Sequence, residues 1–272
     1  MQQYSDRMRR LERTIAFVPT MGYFHEGHLS LIRKGRKIGD IIVVSIFVNP
    51  IQFAPGEDFE NYPRDLERDL DLARKNGADV VFTPDYNELY SNGFQTYINL
   101  KELPNHLCGI SRPTFFSGVA TVVTKLFNIV KPHFAVFGRK DYQQLVVIRQ
   151  MVCDLNFDIE IIGAETVREH DGLAMSSRNV YLTSEHRNSA LCLYKSLQKA
   201  QALISSGIKD SEKIIDTALE MIKSHKDTEI DYIAICDPQT LVDIKKIDRQ
   251  ALMALAVRVG KTRLIDNMIL IS

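Results

Sequence analysis

Residues 41 to 48 read Ile-Ile-Val-Val-Ser-Ile-Phe-Val, eight positions that are apolar except for one serine. A run this short and this unbroken, dominated by β-branched side chains, is a strand buried on both faces. That requirement points to a parallel sheet covered by helices above and below, and the surrounding chain agrees with it. Strand-like runs fall at 15–18, 41–48, 79–82, 96–100, 134–137 and 159–162, with helical patterns between them at 29–37, 63–76, 118–130 and 142–155. Pro63 suits a first helical turn, and Gly77 closes that helix. In that helix Leu66, Leu70 and Ala73 are expected to form the buried stripe, with Asp69 at its margin. Alternation of this kind predicts an α/β domain over residues 1–170, a doubly wound parallel sheet of Rossmann-like type. Its ligands would bind beyond the carboxyl ends of the strands. Past about residue 170 the pattern changes to helices at 184–206 and 211–224, then strands at 230–236, 251–259 and 263–270. Helices followed by clustered strands predict a smaller C-terminal α+β domain over 171–272 with an antiparallel sheet.

Composition narrows the function classes. Lys+Arg and Asp+Glu are 34 each, so no global basic field draws the chain to nucleic acid. No apolar run approaches the length needed to cross a bilayer. The opening 13 residues are polar, without the apolar centre of a signal peptide. Cysteines 108, 153, 192 and 236 form no Cys-x-x-Cys pair. Free thiols and a cytoplasmic location are the expectation.

Chemistry concentrates in Pro19-Thr20-Met21-Gly22-Tyr23-Phe24-His25-Glu26-Gly27-His28-Leu29-Ser30-Leu31, which follows the first strand and enters a helix. Helix N-termini carry unpaired N–H groups and partial positive charge, which suits phosphate. Gly22 permits a tight turn, and Gly27 lets backbone approach a ligand. His25 and His28, three apart, lie on one face and can donate to nucleotide phosphates. A histidine pair at this spacing also fits a structural pair or two metal ligands. The glycines, the strand and the Pro-Thr-Met-Gly entry favour the nucleotide. The stretch resembles the His-x-Gly-His signature of the nucleotidyltransferase and class I tRNA-synthetase superfamily. Its longer form, Pro-Thr-Met-Gly-x-x-His-x-Gly-His-Leu-Ser-Leu, resembles the pantothenate synthetase family, the pantoate–β-alanine ligases.

Four further segments carry the same resemblance in order. Phe47-Val48-Asn49-Pro50-Ile51-Gln52-Phe53 reads alone as an ordinary turn with a solvated Gln52, but it resembles the family segment that contacts pantoate and β-alanine, which implicates Asn49 and Gln52. Arg112-Pro113-Thr114-Phe115-Phe116-Ser117-Gly118-Val119 is similar to a family segment that often has His where this chain has Phe115. Its sequence context leaves Arg112 open between cleft and surface. Phe137-Gly138-Arg139-Lys140-Asp141-Tyr142-Gln143-Gln144 places a glycine and a charged turn between strand end and helix start. There the resemblance implies Gly138 and Asp141 at ribose, Arg139 and Lys140 at ATP, and Gln144 at pantoate. Met175-Ser176-Ser177-Arg178-Asn179 offers two hydroxyls and a guanidinium for phosphate oxygens. It resembles the superfamily's Lys-Met-Ser-Lys-Ser loop.

The resemblance further implies Met21, Gly22, Met175 and the backbone of Val167 at ATP, and Asp69 as a magnesium ligand, a role the charged run 58–74 alone does not distinguish from Asp65 or Asp71. Catalytic roles would fall to His25, His28, Lys140, Ser176, Ser177 and Arg178. The implied activity is ATP-dependent joining of pantoate to β-alanine through an acyl adenylate, in a homodimer. Another adenylyl- or cytidylyltransferase, or a nucleotide sensor without turnover, is the alternative.

Overall fold

The apolar run becomes strand β2 (Ile41–Ile46), where Ile42, Val43, Val44 and Ser45 are fully buried. β1 (Ile15–Thr20) pairs with it in parallel, and β3 (Val80–Phe82), β4 (Phe134–Gly138) and β5 (Glu160–Ala164) complete a parallel sheet in the order β3-β2-β1-β4-β5. Side chains alternate across such a sheet. Ile15, Phe17 and Val43 therefore enter one core with Phe127, Phe137 and Ile148, from helices Phe115–Val130 and Tyr142–Asp154 and from β4. Ala16, Val18, Ile42 and Val44 enter another with Ile32 of helix Glu26–Arg36. The chain winds outward through β2 and β3, then returns to the far side of β1 with β4. The carboxyl ends of β1 and β4 thus form the switch point where such sheets bind ligands.

This computed structural model describes residues 1–272. The sheet belongs to one compact unit, Met1–Lys101, Arg112–Arg139 and Gln144–Val167, and a second comprises Glu102–Ser111, Lys140–Gln143 and Arg168–Ser272. In the second unit β6 (Thr228–Cys236), β7 (Gln250–Val259) and β8 (Thr262–Ile271) form an antiparallel sheet with β7 central. Helices Cys192–Ser205 and Ser211–Lys223 cover it, with Leu193, Leu197, Ile214 and Ile222 packed on Met253, Leu255 and Val257.

Four local expectations need correction. Residues 96–100 are no strand: Ile98 and Leu100 pack against the first core, and Ile98 N donates to Thr121 Oγ1 (2.9 Å) instead of joining a ladder. The helix expected from Pro63 begins at Leu66, because the Asp65 side chain caps it by accepting from Arg68 N (3.2 Å). Its buried stripe also differs, since Leu66 and Leu70 are exposed while Asp69 is 1% exposed. The single helix at 184–206 is two, Ser184–Ala190 and Cys192–Ser205, meeting at Leu191. The polar opening folds as helix Gln2–Arg10.

Candidate active site

The turn leaving β1 is held by one local bond and by bonds to β2 and to Asp69. Thr20 Oγ1 donates to Ser45 O (2.7 Å) and accepts from Gly22 N (3.2 Å). Gly22 has a φ of +82°, and a Cβ there would lie 2.9 Å from Ile46 Cγ2 and 3.0 Å from Asp69 Oδ2, so only glycine fits. Asp69 reaches under the turn and accepts from Tyr23 N (2.5 Å) and Phe24 N (2.7 Å). Burial raises its carboxyl pKa, against those two hydrogen bonds, which lower it.

His25 is the N-cap of helix Glu26–Arg36. Its Nδ1 accepts from Gly27 N (3.1 Å), and its own N–H donates to His28 Nδ1 (3.4 Å). A ring nitrogen that accepts carries no hydrogen, so each imidazole carries its hydrogen on Nε2. The rings lie against each other at a tilt of 33°, with centroids 4.2 Å apart. The two histidines thus do the work of a Ser/Glu capping box. They also leave two Nε2–H donors at the positive end of the helix, an arrangement suited to an anion.

Beyond β2, Asn49 is 1% and Gln52 7% exposed. Asn49 Nδ2 donates to Gln52 Oε1 (3.1 Å) and to Gly118 O (3.2 Å), and Gln52 Nε2 lies 3.1 Å from Met21 Sδ. A Cβ on Gly118 would fall 2.7 Å from both Gln52 Cα and Ile51 O, so the glycine allows the helix to approach this turn. Arg112, left open by its sequence, is engaged. Its guanidinium grips Glu57 with two bonds of 2.6 Å and lies 3.8 Å from the centroid of the Phe115 ring. The Phe115 ring thus makes a cation–π contact with that arginine.

At the end of β4, Gly138 has open space where a Cβ would project, and Arg139 pairs with Glu165 (2.5 Å). Gln144 is half-buried in the first turn of helix Tyr142–Asp154, and Val167 ends the last segment of the first unit. In the second unit Lys140 Nζ lies 3.6 Å from Asp141 Oδ2, and Lys140 O accepts from Asn267 Nδ2 (2.7 Å). Ser176 caps the short helix Ser177–Tyr181 by accepting from Arg178 N (3.3 Å), with Met175 half-buried before it. The loop's flanks are braced. Arg168 forms a bidentate pair with Asp266 (2.6 and 2.9 Å) and lies 3.9 Å from the Tyr194 ring centroid, while Arg187 binds Glu169 (2.6 Å) and Asp171 (2.7 Å). Asn179 Nδ2 donates to Glu169 Oε1 (2.8 Å) and Ala174 O (3.1 Å).

A family model described as pantoate-beta-alanine ligase matches residues 1–269. The chain belongs to that family. The pantothenate synthetase of Desulfatibacillum aliphaticivorans is 59% identical over 266 residues, which are 98% of this chain and 95% of that protein. That of Syntrophus aciditrophicus is 55% identical over 267 residues, 98% and 93% of the two chains. Among solved structures, pantothenate synthetase from Thermus thermophilus superposes with a TM-score of 0.93 at 43% identity, covering 97% of this chain and 96% of its own. A pantoate-beta-alanine ligase from Francisella tularensis, solved in complex with beta-gamma ATP and beta-alanine, reaches 0.79 at 35% identity over 98% and 94% of the chains.

Against the family resemblance, two placements stand out. Asp69, implied at magnesium, has each of its oxygens accepting one backbone N–H beneath the histidine loop and is 1% exposed. Asn49, expected at the substrates, has its side-chain oxygen and nitrogen both bonded within the protein. Sequence reading missed Tyr90, Arg168, Arg187 and Asp266. Their partners lie between 16 and 98 residues away, and no local pattern marks them.

Proposed function

We propose that this protein condenses pantoate with β-alanine at the expense of ATP, releasing AMP and pyrophosphate. The observation that carries the reading is the His25–His28 ring pair, tautomer-fixed at the switch point, in a chain matched over 1–269 by the pantoate–β-alanine ligase model. The Francisella tularensis ligase is a complex with beta-alanine and an ATP-type ligand, and this reading carries both to the present chain.

In the first half-reaction a pantoate carboxylate oxygen attacks the α-phosphorus of ATP. The bond from that phosphorus to the bridging oxygen breaks, and pyrophosphate leaves. The Nε2–H groups of His25 and His28 would donate to phosphate oxygens as negative charge builds on them, and preorganised donors of this kind need no rearrangement in the transition state. Met21, Gly22 and Gly27 shape the turn that lets the phosphates approach the backbone. Lys140, Ser176, Ser177 and Arg178 are assigned to the phosphates, Gly138, Arg139 and Asp141 to the nucleotide with Val167 and Met175, and Gln52 and Gln144 to pantoate. In the second half-reaction the β-alanine amine attacks the acyl carbon of the adenylate. AMP departs, and the new amide nitrogen gives up a proton. No nucleophilic side chain takes part, so positioning supplies the catalysis. Asp69 is the residue that the family resemblance assigns to the magnesium accompanying ATP.

The test is AMP formation from ATP with pantoate, with and without β-alanine. Pantothenate formed in step with AMP supports the reading. Pyrophosphate release that ignores pantoate points to a different nucleotidyltransferase, and ATP binding without turnover to a sensor. The family resemblance also leads us to propose a cytoplasmic homodimer, which would elute at twice the 31.0 kDa chain mass.

A further inference from the structure

We propose that Tyr90 is a positioning residue for the acid substrate, acting through Asn49 to decide which end of the Gln52 amide is presented. The inference rests on the assignment of Gln52 to pantoate above. It begins from a backbone carbonyl. Gly118 O can only accept, so the Asn49 atom 3.2 Å away must be the donating nitrogen. The second hydrogen of that nitrogen then points to Gln52, 3.1 Å away, and the Gln52 atom that meets it must be the oxygen. Asn49 Oδ1 is left on the opposite side, 1% exposed with the rest of the residue, and Tyr90 OH donates to it at 3.0 Å.

Every slot in this chain of bonds has one polarity, and its open end is Gln52 Nε2, beside Met21 Sδ at 3.1 Å. Thioether sulfur is a weak acceptor, so the amide hydrogens remain available to a stronger one. A donor is what the carboxylate and hydroxyl oxygens of pantoate require. A flipped Gln52 would set its carbonyl oxygen against that carboxylate.

The structure holds Tyr90 firmly for this task. It is 2% exposed, with its ring packed against Phe47 (6.3 Å), Tyr86 (5.2 Å) and Phe94 (5.0 Å). Burial pushes its hydroxyl pKa well above the ordinary value, so it stays a donor across the working pH range. Without the hydroxyl, Asn49 Oδ1 would be a buried acceptor with its donor gone, and the side chain would gain by turning away. That turn would release Gln52.

The experiment is a double-mutant cycle of Tyr90→Phe with Gln52→Ala, read as KM for pantoate, KM for ATP and melting temperature. Tyr90→Phe should raise the pantoate KM roughly five- to tenfold, the size of one lost net hydrogen bond, and leave the ATP KM within about twofold. In the Gln52→Ala background the same substitution should have no further effect on the pantoate KM, because the two act through one path. Asn49→Asp, which cannot donate to Gly118 O or Gln52 Oε1, should reproduce the selective rise if Tyr90→Phe folds poorly. An unchanged pantoate KM, an equal rise for ATP, or full additivity with Gln52→Ala overturns the proposal, even in an enzyme that makes pantothenate. A wild-type protein that makes no pantothenate removes the function and this inference together.

Discussion

His28 does two jobs with one ring. Its Nδ1 receives the His25 backbone N–H and so helps start helix Glu26–Arg36, which fixes the ring hydrogen on Nε2, the atom proposed to meet phosphate. The two jobs separate on substitution. Loss of a capping acceptor costs roughly 1 kcal/mol of stability, whereas loss of a transition-state donor costs about 100- to 1,000-fold in rate. His28→Ala should therefore melt only slightly below wild type while pyrophosphate release in the adenylation step falls by two to three orders of magnitude. Near-wild-type release from a folded variant would remove His28 from the chemistry. Asp69 shows the same economy in reverse. A carboxylate that the family resemblance offers as a metal ligand also holds the backbone of the turn that carries the histidines.

The segment that leads into the Ser176–Arg178 loop is braced by two arginines in addition to the packing of Leu173. Arg168 pairs with the buried Asp266 on β8 and is 18% exposed against 2% for its partner. Burial raises the Asp266 carboxyl pKa, and the Arg168 hydrogen bond pulls it back down. Breaking such a pair from one side is expensive because it strands a charge away from water. Arg168→Met should lower the unfolding free energy by about 3–5 kcal/mol, measured by urea denaturation. Replacing both partners, Arg168→Met with Asp266→Leu, should recover most of that loss, since no charge is then left buried. A double variant no more stable than the single one would show that the pair does more than neutralise Asp266.

For the whole molecule the relevant fact is that each unit has a core of its own. Phe127 is 1% exposed and meets the rings of Phe17 (6.3 Å), Phe137 (6.4 Å) and Phe157 (5.9 Å) edge-on, which makes it the hub of one face of the parallel sheet. Phe127→Ala should cost roughly 3–5 kcal/mol through lost burial and the cavity left behind. Hydrogen exchange should place that loss in β1, β4 and helix Phe115–Val130. Amides of helix Ser211–Lys223, which packs in the other core, should keep their protection. Uniform loss of protection in both units would mean that the two cores unfold as one.

Runs such as 41–48, 134–137 and 251–259 announced their strands because burial on both faces or beside a packed sheet demands continuous apolar character. That signal is local, so the parallel sheet, the antiparallel C-terminal sheet and the glycine turn before His25 could be read from neighbours along the chain. The 96–100 run shows the limit: its alternation suits a strand, but a strand needs a partner, and helix Phe115–Val130 took the segment instead. Asp69 shows it again, since an acid in a charged helix looks solvated until the backbone of a turn 45 residues earlier claims it. Polar networks are decided only in three dimensions, because a hydrogen bond depends on the direction and burial of both partners and leaves no periodic trace in either segment. The residue types with the chemistry to bind a nucleotide were therefore set by the sequence alone. The ring tautomers of His25 and His28 follow from bonds within their own turn, whereas the orientation of the Gln52 amide was decided by the tertiary structure, through Gly118 and Asn49.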